Sequence, residues 1–276
     1  MHFKIFAILL FAFGSCADRG PYDWIESLPA PWTLSNYQLD SYLPQFHKKY
    51  PDYYDRLIAL NLWRVGTPYG LFCLGEEQGI DLDPIIRIDS SDCTVHVLTT
   101  IALAESQTWQ GARDAMIDIH YKPDINGIKK PTYKSRWHFT SDRLLNNPRT
   151  VDITSIIASP EDVDTINIIL NKKIDGSQFL ELGWTSKLST YFIPIQNIGE
   201  HLLSQLPVIC GIAFVKKNYF KNGIVIAHEG YVINRRNLIH ASSVENKTVN
   251  VNLLSYIGNV SKPRFDGVMF YEIRKI

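Results

Sequence analysis

No stretch constrains this chain more than Ser90-Ser91-Asp92-Cys93-Thr94-Val95. Three small polar residues run into a cysteine, and an apolar segment follows at once through Val95, Val97, Leu98, Ile101, Ala102 and Leu103. Serine and aspartate are N-cap types, because their side-chain oxygens accept from the free N–H groups of a first helical turn. The pattern predicts a helix that begins near Cys93 and is apolar enough to belong to the core. A first-turn cysteine faces those N–H groups and the positive end of the helix dipole, both of which favour an anion. Such a setting lowers a thiol pKa and makes the sulfur a nucleophile. The same residues also fit a buried structural cysteine on a core helix. A base elsewhere in the chain would separate the two readings.

A base is offered by Ile226-Ala227-His228-Glu229-Gly230-Tyr231-Val232-Ile233, a strand-like run. A short turn around Asn234–Asn237 joins it to Leu238-Ile239-His240-Ala241-Ser242-Ser243. His228 and His240 then lie on neighbouring strands of one hairpin. Strand side chains alternate between faces, so a loop of four residues would put the rings on opposite faces and a loop of three or five on the same face. On one face they could form a Cys–His–third-group arrangement with Cys93. A lone strand histidine is more often structural; the pair beside a turn is what makes these two candidates.

The N-terminal residues read as targeting rather than fold. Lys4 precedes the apolar run 5–13, and Gly14-Ser15-Cys16 follows, the form of a secretory signal peptide. Nine apolar residues are too few for a membrane span, which needs about 20. Small residues followed by cysteine resemble a bacterial lipobox, which would make Cys16 a lipid-anchor site; cleavage without lipidation is the alternative. Residues 17–35, rich in proline, serine and tryptophan, read as a tether or wrapping arm, and 36–276 as one domain. The remaining cysteines are Cys73, Cys93 and Cys210. Cys73 and Cys210 could pair with each other or serve as small buried hydrophobes. Lysine plus arginine equals aspartate plus glutamate at 28 each, so nothing in the charge suggests nucleic acid as a partner.

Helical spacing runs from Ser35 to Tyr50, with an expected break at Pro44, and from Asp52 to Trp63. Gly66-Thr67-Pro68-Tyr69-Gly70 must be a turn. Ile85–Ile88 is a short strand candidate, a second helix is expected between Ser106 and Asp118, and 151–157 reads as a strand. After a short helix near 199–206, the last third is rich in β-branched and aromatic residues. Helices first and an antiparallel sheet after is an α+β pattern.

Together these residues resemble a known family. A helix-start cysteine, then His-x-Gly on a strand, then His-Ala on the next, is similar to the papain-like bacterial cell-wall peptidases of the NlpC type. More specifically, Gly66–Tyr69, Asp92–Thr94, Ser135–His138, His228–Gly230 and His240–Ser242 stand in the order seen in the N-acetylmuramoyl-L-alanine amidase-like family. Departures are Val95-His96-Val97-Leu98, where that family carries an acid, Ala227 in place of a common serine, and Glu229 in place of a small apolar residue.

The resemblance implies a papain-like α+β fold, with the catalytic Cys93 at a helix N-terminus packed on the C-terminal sheet. It also implies an exported or envelope protein that cleaves an amide of peptidoglycan or muropeptides without a cofactor. In it Cys93 is the nucleophile, His228 the base and His240 the group that orients His228. Tyr69, Asp92, Arg136, His138 and Ser242 would line the substrate site, Arg136 and His138 by binding substrate carboxylates. The competing reading is an envelope-binding protein that keeps the fold without the chemistry. A zinc hydrolase and a Gly-x-Ser-x-Gly serine hydrolase lack their motifs in this sequence.

Overall fold

In the computed structural model, residues 20–75, 80–258 and 263–275 are described; the apolar segment 5–13 and Cys16 lie outside them. The described chain opens with an arm. Its short 3-10 turns at Asp23–Ser27 and Pro31–Thr33 lie against the first two helices. Trp24 packs on Phe46 and Tyr50, and the Trp63 indole donates to the Pro29 carbonyl at 2.9 Å. Helix α1 (Asn36–Lys49) is held by a Ser35/Gln38 capping box. Contrary to the sequence expectation it is not broken at Pro44. Leu39, Leu43 and Phe46 are fully buried on one face, and their packing outweighs the missing backbone donor. Helix α2 (Tyr53–Trp63) is capped by Asp52, which accepts from two first-turn N–H groups.

Helix α3 (Cys93–Glu105) is the central element. Every side chain from Val95 to Ala104 is buried, so the helix has no solvent face. Each Val, Leu or Ile buried in this way stabilises by about 1.5–3 kcal/mol. Helix α4 (Trp109–His120) packs on it, and α5 (Thr140–Asn146) follows a loop. The strand expected over 151–157 is only β1 (Thr150–Asp152); Thr154–Ile157 turns into a short helix, α6. The Thr154 N–H is taken by Asp152 and its hydroxyl accepts from the Phe270 N–H, which turns the chain before a longer strand can form. The strand expected at Ile85–Ile88 does not form; those residues are irregular.

The remaining elements are β2 (Asp164–Leu170), β3 (Ser186–Pro194), α7 (Glu200–Gln205), β4 (Ile209–Val215), β5 (Ile226–Ile233), β6 (Asn237–Ser242), β7 (Lys247–Asn252), α8 (Leu253–Ile257) and β8 (Gly267–Ile273). Among the described residues the strands form one antiparallel sheet ordered β2-β3-β8-β4-β5-β6-β7, with β1 added on β8. One face carries α3 and its neighbours over a core that includes Leu98, Ile101, Tyr231, Ile239 and Met269. The other carries α7 and α8 over Cys210, Phe214, Val232, Leu253 and Phe270. Strand β4 is buried along its whole length because both faces are covered. This is the α+β architecture expected from the sequence, with helical and antiparallel parts in the expected order. Cys73 and Cys210 are both free and buried, so they do not pair.

Candidate active site

Cys93 is the first residue of α3. Asp92 is its N-cap, accepting from the Val95 N–H at 2.8 Å with one oxygen and from the Cys73 N–H at 3.2 Å with the other. The Gly66–Gly70 turn runs beside this cap. Gly70 donates to Ser91 O, Ser91 donates to Pro68 O, and Gly66 and Thr248 tie the turn to β7. Beneath it the fully buried Arg64 donates to Ser91 Oγ, His96 O and Thr100 Oγ1 at 2.6–2.7 Å. With no acid among these partners, burial lowers its pKa to about 10, which leaves it charged at neutral pH. Arg64 therefore fastens α2 to both sides of the cysteine. Nothing in its immediate sequence marked it.

The hairpin register decides the histidines. Tyr231 pairs with Ile239, Val232 with Leu238 and Ile233 with Asn237, leaving a loop of three residues, Asn234–Arg236. Asn234 and Arg235 both have positive φ. The turn is held there by hydrogen bonds from the Asn234 N–H to Val208 O and from Arg235 Nε to Leu206 O. The odd loop puts His228 and His240 on one face, and His228 Nε2 lies 2.8 Å from His240 Nδ1. Gly230 stands across from His240; a Cβ there would come 2.9 Å from His240 Cβ and 2.7 Å from Ile239 O. The glycine of His-x-Gly is thus the space the second histidine occupies. A bulge between Phe214 and Val215 shifts the β4–β5 register just beside His228. Phe214, Phe265 and Tyr256 box the two rings, with His228 stacked parallel to Phe265.

Cys93, His228 and His240 line one cavity of about 450 Å³, together with Tyr69, Asp92, His138, Ser242, Lys216, Tyr256 and Arg264. Burial lowers the His228 pKa to about 3, with repulsion from His240 and Arg264 adding to it, and that of His240 to about 4. Both imidazoles are neutral at physiological pH. The helix start predicts a lowered thiol pKa, and the structure corrects this. Burial, then the Glu229 and Asp92 carboxylates, pushes the Cys93 thiol up to about 12. The N-cap that organises the helix brings a negative charge that offsets the dipole, and a second carboxylate stands behind it. The resting site therefore holds a thiol and a neutral imidazole, not a preformed ion pair.

The other named residues fall into place unequally. The Arg136 guanidinium, expected to meet a substrate carboxylate, meets Asp83 instead. Nε and Nη2 grip both Asp83 oxygens at 2.7–3.1 Å and Nη1 donates to Gly75 O. Its geometry anchors the loop before α3; a substrate carboxylate would have to displace Asp83. His138 lines the cavity, donates from Nε2 to Tyr133 O at 2.6 Å, and is pushed by burial down to about 4, so it offers no charge to a carboxylate. Ser242 Oγ accepts from the Glu245 N–H, closing the turn after β6. Burial raises the Tyr69 pKa, so its hydroxyl is a neutral donor.

The family model for N-acetylmuramoyl-L-alanine amidase-like proteins matches residues 61–263. The chain belongs to this amidase-like family. The matched span begins in α2 and takes in the turn, α3 and the whole histidine hairpin. Among solved structures, a Legionella pneumophila protein is similar at 24% identity with a TM-score of 0.68, covering 87% of this chain and 95% of its own. An N-acetylmuramoyl-L-alanine amidase from Bacteroides uniformis is similar at 20% identity, TM-score 0.61, covering 79% and 99%. A putative xylanase from Bacteroides fragilis is similar at 21% identity, TM-score 0.61, covering 78% and 100%. At these identities the likeness concerns the fold alone. No curated protein matches the chain.

One feature of the amidase-like chain escaped the sequence reading except as a departure. Glu229, between the catalytic candidate His228 and Gly230, is buried on the opposite side of β5. Its carboxylate accepts from Thr94 Oγ1 at 3.0 Å, Thr140 Oγ1 at 3.2 Å, Tyr271 Oη at 3.0 Å and the Arg143 guanidinium. Its one sequence signal is a charged residue at an inward position of an apolar strand; the Arg143 partner lies 86 residues away.

Proposed function

We propose that this protein is a cysteine amidohydrolase of the papain-like, NlpC-related type that cleaves an amide bond in peptidoglycan or its muropeptides. The scissile bond is either the N-acetylmuramoyl-L-alanine amide or a bond of the stem peptide. The observation that carries the reading is the cavity shared by a helix-start cysteine and a hydrogen-bonded histidine pair, in a chain of the amidase-like family.

The geometry supports the following steps. With proton on Nε2, His228 donates to His240 Nδ1 and keeps a lone pair on Nδ1 for the thiol proton. As the Cys93 sulfur bonds to the amide carbonyl carbon, its proton passes to His228. The developing oxyanion falls near the first-turn N–H of Cys93, a group α-helix geometry leaves without an intrahelical partner. The C–N bond then breaks, His228 returns the proton to the leaving amine, and water hydrolyses the thioester with His228 again as base. Because thiol and imidazole both rest neutral, proton transfer accompanies attack rather than preceding it. Asp92 holds the helix start, Tyr69 supplies a neutral hydroxyl, and Lys216 and Arg264 give the cavity a positive rim suited to an acidic stem peptide.

The segment 5–13 and Cys16 support export to the bacterial envelope, with Cys16 as a lipid-anchor site. Among the described residues no helix is long and apolar enough to cross a membrane.

Incubating the purified protein with intact muropeptides and reading the products by mass spectrometry tests the reading. Release of free stem peptide identifies a muramoyl amidase, and cleavage inside the peptide an endopeptidase. Binding without any product would refute hydrolysis and leave the envelope-binding alternative.

A further inference from the structure

A second cavity, of about 160 Å³, opens off the catalytic one, and the two meet along Cys93, Thr94, His138, Ala227 and His228. Their chemistry differs. Lys216 and Arg264 line the catalytic cavity, whereas among the described residues no lysine or arginine lines the second. Glu229 reaches its wall, but the side chain is 1% exposed and both carboxylate oxygens are taken. The Thr94 and Thr140 hydroxyls are committed to Glu229, and His138 Nε2 to Tyr133 O. A ligand there meets mostly carbon, from Phe139, Phe179, Leu180, Ile224 and Ile226. One wall is the loop 171–185 between β2 and β3, and a single buried side chain holds it. Asn171 is 0% exposed, with a left-handed φ of 60°. Its Nδ2 donates to Trp184 O at 2.8 Å and to Leu180 O at 3.0 Å, and its Oδ1 accepts from the Leu180 N–H at 2.8 Å. Its backbone O accepts from the Phe179 N–H, and its own N–H donates to Gly223 O. Gly223 begins the opposite wall, Ile224–Ile226, and a Cβ on it would come 2.4 Å from the Lys172 nitrogen. Trp184 in turn packs edge-on against Phe139. Asn171 thus ties both walls together, while Phe179 stays 40% exposed.

We propose that the loop pinned by Asn171 forms a selectivity pocket beside Cys93 for a small, uncharged apolar group flanking the scissile amide. Phe179 binds that group, and Asn171 is a positioning residue that acts through Phe179 and Leu180. A volume of 160 Å³ holds about five groups of water size at about 30 Å³ each, room for a methyl or an isobutyl group. A carboxylate or ammonium would lose its water there and find no opposite charge. The Lys216 and Arg264 end of the catalytic cavity suits the acidic part of the substrate instead. The two flanks of the amide are thereby sorted by polarity. The proposal rests on Cys93 being the nucleophile of the amidohydrolase reading.

The test is kcat/KM of the full-length protein on synthetic muropeptides in which each group flanking the cleaved bond is varied in turn: hydrogen, methyl, isobutyl, carboxymethyl. On one flank, methyl should exceed hydrogen by about tenfold and carboxymethyl by about a hundredfold or more. Phe179→Ala should reduce the methyl-to-hydrogen ratio to about two- or threefold. Asn171→Gly, which keeps the left-handed backbone but deletes the side-chain ties, should reduce it similarly. A ratio of two rates from one preparation is unaffected by the fraction folded, so a merely structural role would not move it. Equal rates for methyl and carboxymethyl on both flanks, or a wild-type ratio in Phe179→Ala, overturn the proposal. If Asn171→Gly does not fold, the exposed Phe179 still decides. If the wild type cuts no muropeptide, the peptidoglycan reading fails separately, and alkylation of Cys93 by N-isobutyl and N-carboxymethyl iodoacetamide takes its place. Mass spectrometry of the Cys93 peptide should then show an isobutyl-to-carboxymethyl rate ratio about tenfold above that of a free thiol, falling toward it in Phe179→Ala. A ratio that Phe179→Ala leaves unchanged overturns the pocket, and no labelling of Cys93 by either reagent removes the nucleophile on which it rests.

Discussion

The two sides of strand β5 are built on opposite electrostatic principles. On one, His228 and His240 sit neutral in an aromatic box, joined by a single hydrogen bond and open to a cavity. On the other, one peptide unit away, Glu229 is fully ion-paired and sealed between α3, α5 and β8. The open side carries groups able to gain or lose a proton. The sealed side carries a charge whose removal would leave Arg143 alone in the core. The proposed chemistry and the rigidity are thus separated by the alternation of one strand, and substitutions on the two sides should fail in different ways.

The largest effect is expected on the open side. Cys93→Ala should abolish hydrolysis, by about 10⁴-fold or more, with little change in Tm, since only a small half-buried group is removed. His228→Ala should cost nearly as much, because nucleophile and base act as a unit. Activity assays beside thermal melts check both. An active Cys93→Ala protein would end the cysteine reading, and an active His228→Ala protein would turn attention to His138, which lines the same cavity.

On the sealed side the loss should appear as stability. Glu229→Ala strands the buried Arg143 charge and should destabilise by about 3–5 kcal/mol, measured by urea unfolding. The double variant Glu229→Leu/Arg143→Met should recover most of that loss, because no charge is left unpaired. Breaking the exposed Arg87–Asp89 pair by the same method should cost no more than about 1 kcal/mol. A Glu229→Ala protein as stable as wild type would dissolve the contrast between the two sides.

The two sides also differed in how far the sequence could describe them. Cys93, His228 and His240 were legible because each stands at a position with local meaning: a capped helix start, and two residues flanking a turn. Even so, the face they share depended on whether the loop had three or four residues, which only strand pairing decides. Glu229, Arg143 and Tyr271 are 86 and 42 residues apart in sequence and meet only once the sheet has closed. Arg136 illustrates the reverse error. A guanidinium near a candidate site suggested a substrate carboxylate, but Asp83, 53 residues upstream, had the same chemistry to offer. The uninterrupted α1 and the early end of β1 have the same origin, tertiary packing and side-chain caps overriding local propensity.

A smaller effect should separate the two histidines. In the proposed mechanism His240 positions the ring of His228 rather than exchanging its proton with Cys93. His240→Asn or His240→Gln retains a group able to accept one hydrogen bond and should lose about tenfold in kcat, whereas His240→Ala should lose about a hundredfold. Equal losses in all three would mean that His240 does more than orient its neighbour. Gly230→Ala offers a steric counterpart: its Cβ would press on His240, so kcat should fall although neither histidine is changed.

The smallest effect concerns pH. His228 and His240, with His138 nearby, are held neutral, their pKa values lowered by burial to about 3, 4 and 4. In the unfolded chain each would titrate near the ordinary histidine value of about 6.5. Between these limits the unfolded state binds more protons than the folded one, so stability is present above about pH 6.5 and is lost as pH falls toward 4. One such group contributes at most about 1.4 kcal/mol per pH unit to that slope. Unfolding free energy measured from pH 7 to 4.5 should therefore fall with acid, and His228→Gln, which cannot take up the proton, should flatten the curve by at most that one increment. The sealed side predicts a different outcome for Glu229→Leu/Arg143→Met, which alters no histidine and should keep the wild-type slope over the same range. If His228→Gln left the slope unchanged while the double variant flattened it, the buried neutral imidazoles would not be the source of acid sensitivity, and the division of labour across β5 would have to be redrawn.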